Sequence, residues 1–229
     1  YFSFLWFLLC RIRDDNSTSS FFAAAKGDAV DGDYGIGGFG GLQELGNLNK
    51  PVICAVNGIC CGGGLEIALS CDLIICSENA TFALPEIRSG TVADAASIKL
   101  PKRIPYHVAM DLLLTGRWFD APEAKSYGLI KEIVKFDQLR KKAWELAELL
   151  ASGPPLVYAA IKEIVRDAED TKFQDALNRI TKRQFKTVDQ LYSSEDQIEG
   201  AKRSLKRDLQ NGKENNRKEN LCVELGNCP

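Results

Sequence analysis

Histidine occurs once in this chain, as His107, and methionine once. A lone imidazole excludes metal centres and catalytic pairs that need two, and no serine stands in a G-x-S-x-G elbow to be its partner. His107 opens an apolar helical stretch and reads as a surface or capping residue. No C-x-x-C pair exists among the eight cysteines, Cys10, Cys54, Cys60, Cys61, Cys71, Cys76, Cys222 and Cys228, which removes zinc-ribbon and thioredoxin-like chemistry. A cysteine nucleophile at Cys60 or Cys61 would lack a histidine base. Most of the middle cysteines stand among apolar or small residues, where a reduced thiol acts as a small hydrophobe, so a reducing compartment is expected.

A strong charge of either sign is also missing. The 31 acids and 29 bases leave a net charge of -2, so no overall field calls for nucleic acid. The exception is residues 202–220, where Lys202, Arg203, Lys206, Arg207, Lys213, Arg217 and Lys218 face only Asp208, Glu214 and Glu219. This stretch reads as a frayed helix end followed by a mobile basic tail, with an RNA or membrane contact as the alternative. The apolar opening YFSFLWFLL, residues 1–9, is far shorter than the roughly 20 residues that span a bilayer, and no basic region precedes it. It reads as a buried strand or as sequence foreign to the domain; a clipped signal peptide is the alternative.

What is present begins with turn-rich sequence. Residues 11–20 are polar and residues 27–41 hold seven glycines, so the first fifty residues promise little regular structure. From residue 51 the pattern changes. PVICAV, residues 51–56, predicts a buried strand ended by Asn57-Gly58; residues 65–71 a short helix; residues 72–76 and 80–84 two more extended segments. Strand, helix, strand in about thirty residues is the spacing of an α/β fold. The rest predicts helices: 107–114 closed by Gly116, one capped by Asp120 with Glu123 three positions on, then 139–151, 154–168 and a last one behind the capping box of Ser194 and Gln197. No internal repeat is visible.

The chemistry centres on Cys60-Cys61-Gly62-Gly63-Gly64-Leu65-Glu66. Successive glycines ahead of a helix let backbone N–H groups converge on negative charge and let a ligand lie against bare main chain. A Walker loop would need Lys and Ser or Thr where Leu65 and Glu66 stand, and the G-x-G spacing near residues 35–41 follows no strand, so nucleotide readings are poor. A transient oxyanion, with Glu66 handling protons beside it, fits better. The bland reading of Glu66 is a first-turn carboxylate on its own helix dipole. Glu86, after Pro85 at the end of an apolar strand, is expected to be held rigidly and to meet Glu66 in one cleft; an ion pair with Arg88 or Arg103 is the alternative.

These residues have a family resemblance. KPVICAVNG at 50–58, GGGLEIAL at 62–69 with Cys71-Asp72, FALPEIRSG at 82–90, LTGR at 114–117 and APEA at 121–124 running to Gly128-Leu129 resemble the enoyl-CoA hydratase/isomerase (crotonase) family over roughly residues 23–207. Residues 27–45, 82–85 and 194–200 look most like its carnitinyl-CoA dehydratase branch. The resemblance implies a crotonase-like β-β-α superhelix, here N-terminally incomplete, with a helical C-terminal region that builds trimers or hexamers. It implies a lyase hydrating or dehydrating an acyl-CoA thioester through an enolate-like species, with no cofactor, since coenzyme A belongs to the substrate. Glu66 and Glu86 match the two glutamates that flank the water, Gly63 an oxyanion N–H donor, and Gly62 and Gly64 neighbouring backbone against the substrate. The alternative is a catalytically impaired, truncated paralogue acting as a subunit or CoA-ester binder.

The departures lie where the family's second oxyanion donor belongs, now Asn16 to Phe22, and at Ala96-Ser97, which replace two glycines and are expected to crowd the backbone near Glu86. The expected organisation is a non-family segment at 1–22, an α/β core at 23–138, a helical region at 139–208 and a mobile tail at 209–229. Partners are an acyl-CoA and further copies of the chain, without nucleic acid or membrane, and the setting is cytoplasmic, with the mitochondrial matrix as the alternative.

Overall fold

The computed structural model describes residues 6–10 and 35–210; residues 16–22 and the basic sequence after Gln210 lie outside them. The chain divides into two compact units, Tyr1–Gly153 and Pro154–Pro229.

In the first unit a four-stranded sheet runs in the order β1 (Trp6–Cys10), β2 (Val52–Val56), β4 (Leu73–Ser77), β7 (Glu132–Val134). Every pairing in it is parallel, with Trp6 opposite Val52, Ile53 opposite Leu73 and Ile75 opposite Glu132. All five residues of β2 are buried, as the unbroken β-branched run requires of a central parallel strand. Residues 6–10, at the end of the apolar opening, form a strand, and β2 has a neighbour on each side. A second sheet holds β3 (Ile59–Cys61), β5 (Thr81–Ala83) and β6 (Phe119–Asp120), with β5 central.

Each passage goes from the first sheet to the second and then into a helix. β2 turns at Asn57-Gly58 into β3, followed by α1 (Gly63–Leu69); β4 turns into β5, followed by α2 (Glu86–Ser89). This is the β-β-α winding expected of the family, and it corrects the simpler strand-helix-strand reading, because the three-residue β3 is too short to show a period of its own. Then come α3 (Asp94–Arg103), α4 (Tyr106–Thr115), α5 (Ala121–Ser126) and α6 (Leu139–Ala151). The Asp120 side chain accepts the Glu123 N–H at 2.9 Å, as the cap pattern predicts. His107 is exposed on α4, edge-on to Tyr106.

One apolar core joins Cys54, Val56, Cys60, Leu65, Ile74, Cys76 and Phe82 with Leu100, Leu112 and Phe119. Burial pushes the Cys76 thiol up to about 11, so it packs as an inert hydrophobe. Leu139 and Ala143 of α6 pack on Ala55 and Ile75, so this helix covers the sheet of the first unit. The second unit is helical: α7 (Pro155–Ala168), α8 (Phe173–Thr181), α9 (Lys186–Tyr192) and α10 (Glu195–Gln210). Its core gathers Ala160, Phe185 and Val188, and Glu163 ties α7 to α9 by accepting the Thr187 N–H at 3.0 Å. The Ser194 hydroxyl accepts the Gln197 N–H at 3.4 Å, the capping contact that the sequence announces. Among the described residues no helix is long and apolar enough to cross a membrane.

Candidate active site

The site forms where β3 enters α1. Gly62 caps that helix with φ of 56°, a left-handed conformation that a side chain strains, and its carbonyl accepts the N–H groups of Leu65 at 2.9 Å and Glu66 at 3.1 Å. Gly63 is the first helical residue and half-buried, so its N–H has no carbonyl a turn behind it to bind. Gly64 lies one step deeper, buried.

The second sheet carries the other half of the site to this point. Gly62 N–H donates to the Ala83 carbonyl at 2.9 Å, which ties the helix entrance to the end of β5. Three residues on, Glu86 opens α2, and its Oε1 lies 2.9 Å from where a Cβ on Gly62 would be. Only glycine at 62 leaves that space. Gly90, with φ of 71°, closes α2, and Thr91 N–H returns to the Glu86 carbonyl at 3.1 Å. The four-residue helix is thereby pinned at both ends.

Glu66 and Glu86 differ in surroundings. Glu66 is 7 % exposed, and its Oε1 accepts the Ala96 N–H at 3.0 Å, while Gln43 Nε2 stands 3.4 Å from Oε2. Ala96 lies in the first turn of α3, so Glu66 meets the positive end of a different helix from its own. Ala96, one of the two residues that stand where the family has glycines, holds Glu66 through its backbone. Glu86 is half-buried, and its Oε2 is buried without a hydrogen-bond partner. Arg88, one of the two cations considered for it, donates to the Thr115 carbonyl at 3.4 Å. Burial pushes the Glu86 carboxyl above its ordinary value; its own backbone N–H opposes the shift, and the charges of Glu66 and Asp94 add to it.

The structure brings the expected Glu86 against Gly62 at the entrance of the helix that carries Glu66, and it adds two groups that the sequence reading did not name, the donors to Glu66. Ala96 acts through its main chain, which no residue type announces. Gln43 belongs to a glycine-rich loop with no periodicity to place it. Taken together, the arrangement offers backbone N–H at a helix entrance beside one hydrogen-bonded carboxylate and one unpartnered carboxyl that retains its proton more readily. Groups so divided can exchange protons with a bound molecule in both directions.

Comparison with known proteins converges on one family. The family model described as enoyl-CoA hydratase/isomerase matches residues 22–215. Carnitinyl-CoA dehydratase of Proteus mirabilis (strain HI4320) is 44% identical over 179 residues, 78% of this chain and 69% of that protein. The namesake from Escherichia coli (strain K12) shares the same identity and coverage. Among solved structures, enoyl-CoA hydratase from Mycobacterium tuberculosis H37Rv superposes with a TM-score of 0.69 at 31% identity, covering 81% of this chain and 71% of that one. A Geobacillus kaustophilus HTA426 enoyl-CoA hydratase subunit superposes with a TM-score of 0.67 at 36% identity; this chain spans 65% of its length.

Proposed function

Because this chain belongs to the enoyl-CoA hydratase/isomerase family, we propose that it adds water to, or removes it from, an acyl-CoA thioester at the Gly62–Glu66–Glu86 site. The observation that carries the reading is the pairing of Glu86, with one buried unpartnered oxygen against Gly62, and Glu66, with both oxygens within reach of N–H donors. A thioester carbonyl laid at the entrance of α1 receives the Gly63 N–H. Polarising that oxygen stabilises the enolate-like charge that forms when the β-carbon is attacked or its hydroxyl departs. In hydration a water held by Glu66 adds through oxygen to the β-carbon and gives a proton to that carboxylate. Glu86 delivers a proton to the α-carbon. Dehydration runs the same transfers backwards, with Glu86 as the base.

A donor to the α-carbon must carry a proton when the substrate binds and then release it, and burial moves Glu86 toward the protonated form. Gly62 and Gly64 keep side chains out of the path of the thioester. The names of the relatives favour a crotonobetainyl- or carnitinyl-type acyl group. Needing no cofactor apart from the coenzyme A of its substrate, a homotrimer or hexamer in the cytoplasm completes the reading.

The test is loss of enoyl-thioester absorbance on mixing the chain with crotonyl-CoA or crotonobetainyl-CoA, beside Glu86→Gln. Turnover that falls by about 10²- to 10⁴-fold in the variant is expected for removal of a proton-transfer group. Folded protein that binds the ester without turning it over would replace the enzyme reading by that of a CoA-ester-binding subunit.

A further inference from the structure

The loop before β2 reaches into the site by a route that the two carboxylates and the glycine nest do not account for. It is a compact loop wound around a 3-10 turn at Phe39–Gly41: Glu44 N–H donates to the Gly37 carbonyl at 3.1 Å, and Gly41 N–H to that of Gly38 at 2.9 Å. It is seated on α1, since a Cβ on Gly40 would come within 2.4 Å of Ile67 Cδ1. Its half-buried Gln43 then extends Nε2 to 3.4 Å from Glu66 Oε2. The same residue is anchored from behind, because Lys99 Nζ donates to the Gln43 carbonyl at 2.8 Å. Lys99 Nζ also donates to Ser70 Oγ at 2.6 Å, and Ser70 Oγ donates to the backbone carbonyl of Glu66 at 2.8 Å. Loop, α1 and α3 are closed into one ring around Glu66.

Resting on the hydratase reading, we propose that Gln43 is a positioning residue for Glu66 and that the Lys99 ammonium locks the loop that presents it. The Ala96 N–H holds one oxygen of Glu66 and leaves rotation about the last side-chain bond open. A second donor from a separate element stops that rotation and sets which lone pair faces a water. Gln43 carries no charge, so it does this without neutralising the carboxylate. Charged groups near the pair of carboxylates include Asp94, at the start of α3, and Lys99, which reaches the Gln43 carbonyl and Ser70.

Two variants test the assignment, Gln43→Ala and the isosteric Gln43→Glu, in the full chain with carbon-13-labelled glutamate and the Glu66 carboxyl signal assigned through Glu66→Gln. Loss of the second donor frees the end of the Glu66 side chain to turn, so the Glu66 carboxyl resonance moves from the parent's position in Gln43→Ala, and a carboxylate placed against it moves that resonance in Gln43→Glu. A Glu66 carboxyl resonance at the parent's position in both variants overturns the proposal, whether or not the chain turns over. In the kinetic arm Gln43→Ala lowers kcat roughly tenfold with KM nearly unchanged, because an interaction made to the water in the transition state is lost. If the parent hydrates crotonyl-CoA and both variants match its kcat, the positioning role fails and the hydratase reading stands. If the parent turns over no enoyl thioester, that reading fails, and the carboxyl resonance alone decides whether Gln43 governs Glu66.

Discussion

Glu86 and Glu66 are the same residue type twenty positions apart, yet their neighbours differ in kind. Glu66 is given N–H groups from two elements, whereas Glu86 has a buried oxygen given none. Keeping a carboxyl there has a thermodynamic signature. Its proton affinity is raised in the folded state above the ordinary 4.5, so between that value and the folded one the native chain binds more protons than the unfolded chain. Stability attributable to this group therefore falls as pH rises through that window. Glu86→Gln removes the dependence. Thermal melting at a series of pH values is expected to find the variant more stable than the parent at pH 7, and the gap closing well below 4.5. A parent that is the more stable of the two at neutral pH would show that the ionised carboxylate is well solvated or paired.

At the scale of elements, the placement of Glu86 depends on a corner of chain remote in sequence. Gly116 ends α4 with φ of 58°, and a Cβ there would lie 2.9 Å from Ile87 Cγ2, 3.2 Å from the Leu84 carbonyl oxygen and 3.3 Å from Pro85 Cα. The Arg88 bond to the Thr115 carbonyl fastens the same two pieces. Two of those atoms are backbone and cannot rotate aside. Gly116→Ala is expected to cost about 2–3 kcal/mol in urea denaturation, from the left-handed conformation and the overpacking together. It should also lower kcat, because the segment that yields is the one carrying Glu86. An unchanged kcat with reduced stability would limit Gly116 to a structural role.

For the molecule as a whole, the second unit leaves Ile161, Val165, Phe173, Leu177, Ile198 and Leu205 exposed on its helices, with Phe173 at 80 %. Apolar side chains in such number on one small helical unit favour burial against another surface. With the trimer or hexamer proposed above, sedimentation velocity is expected to give a species of three or six chains, and Phe173→Asp with Leu177→Asp to shift it to smaller ones. A parent that sediments as a single chain at all concentrations would remove the trimer.

Much of this was legible because the signals were local. The run of residues 51–56 is apolar throughout and forms the buried β2; Asp120 and Ser194 accept the capping N–H groups that their neighbours imply; the three glycines open a helix. Each follows from the chain within a few residues, where backbone conformation and burial are set by side-chain type. The strands β3, β6 and β7 and the helices α2, α3, α8 and α9 were not read: strands of two or three residues show no period, α2 has only four residues, α3 carries Pro101 in its interior, and α8 and α9 begin without a capping side chain. By itself the sequence determined which residues can hold negative charge on bare backbone and which carboxylates are candidates to move protons. Only the tertiary structure decided that Glu66 takes the Ala96 N–H thirty residues away and that Glu86 lies on Gly62 with one oxygen unpartnered. Proton affinity depends on distance and burial, and those are properties of packed elements that no short stretch of chain possesses.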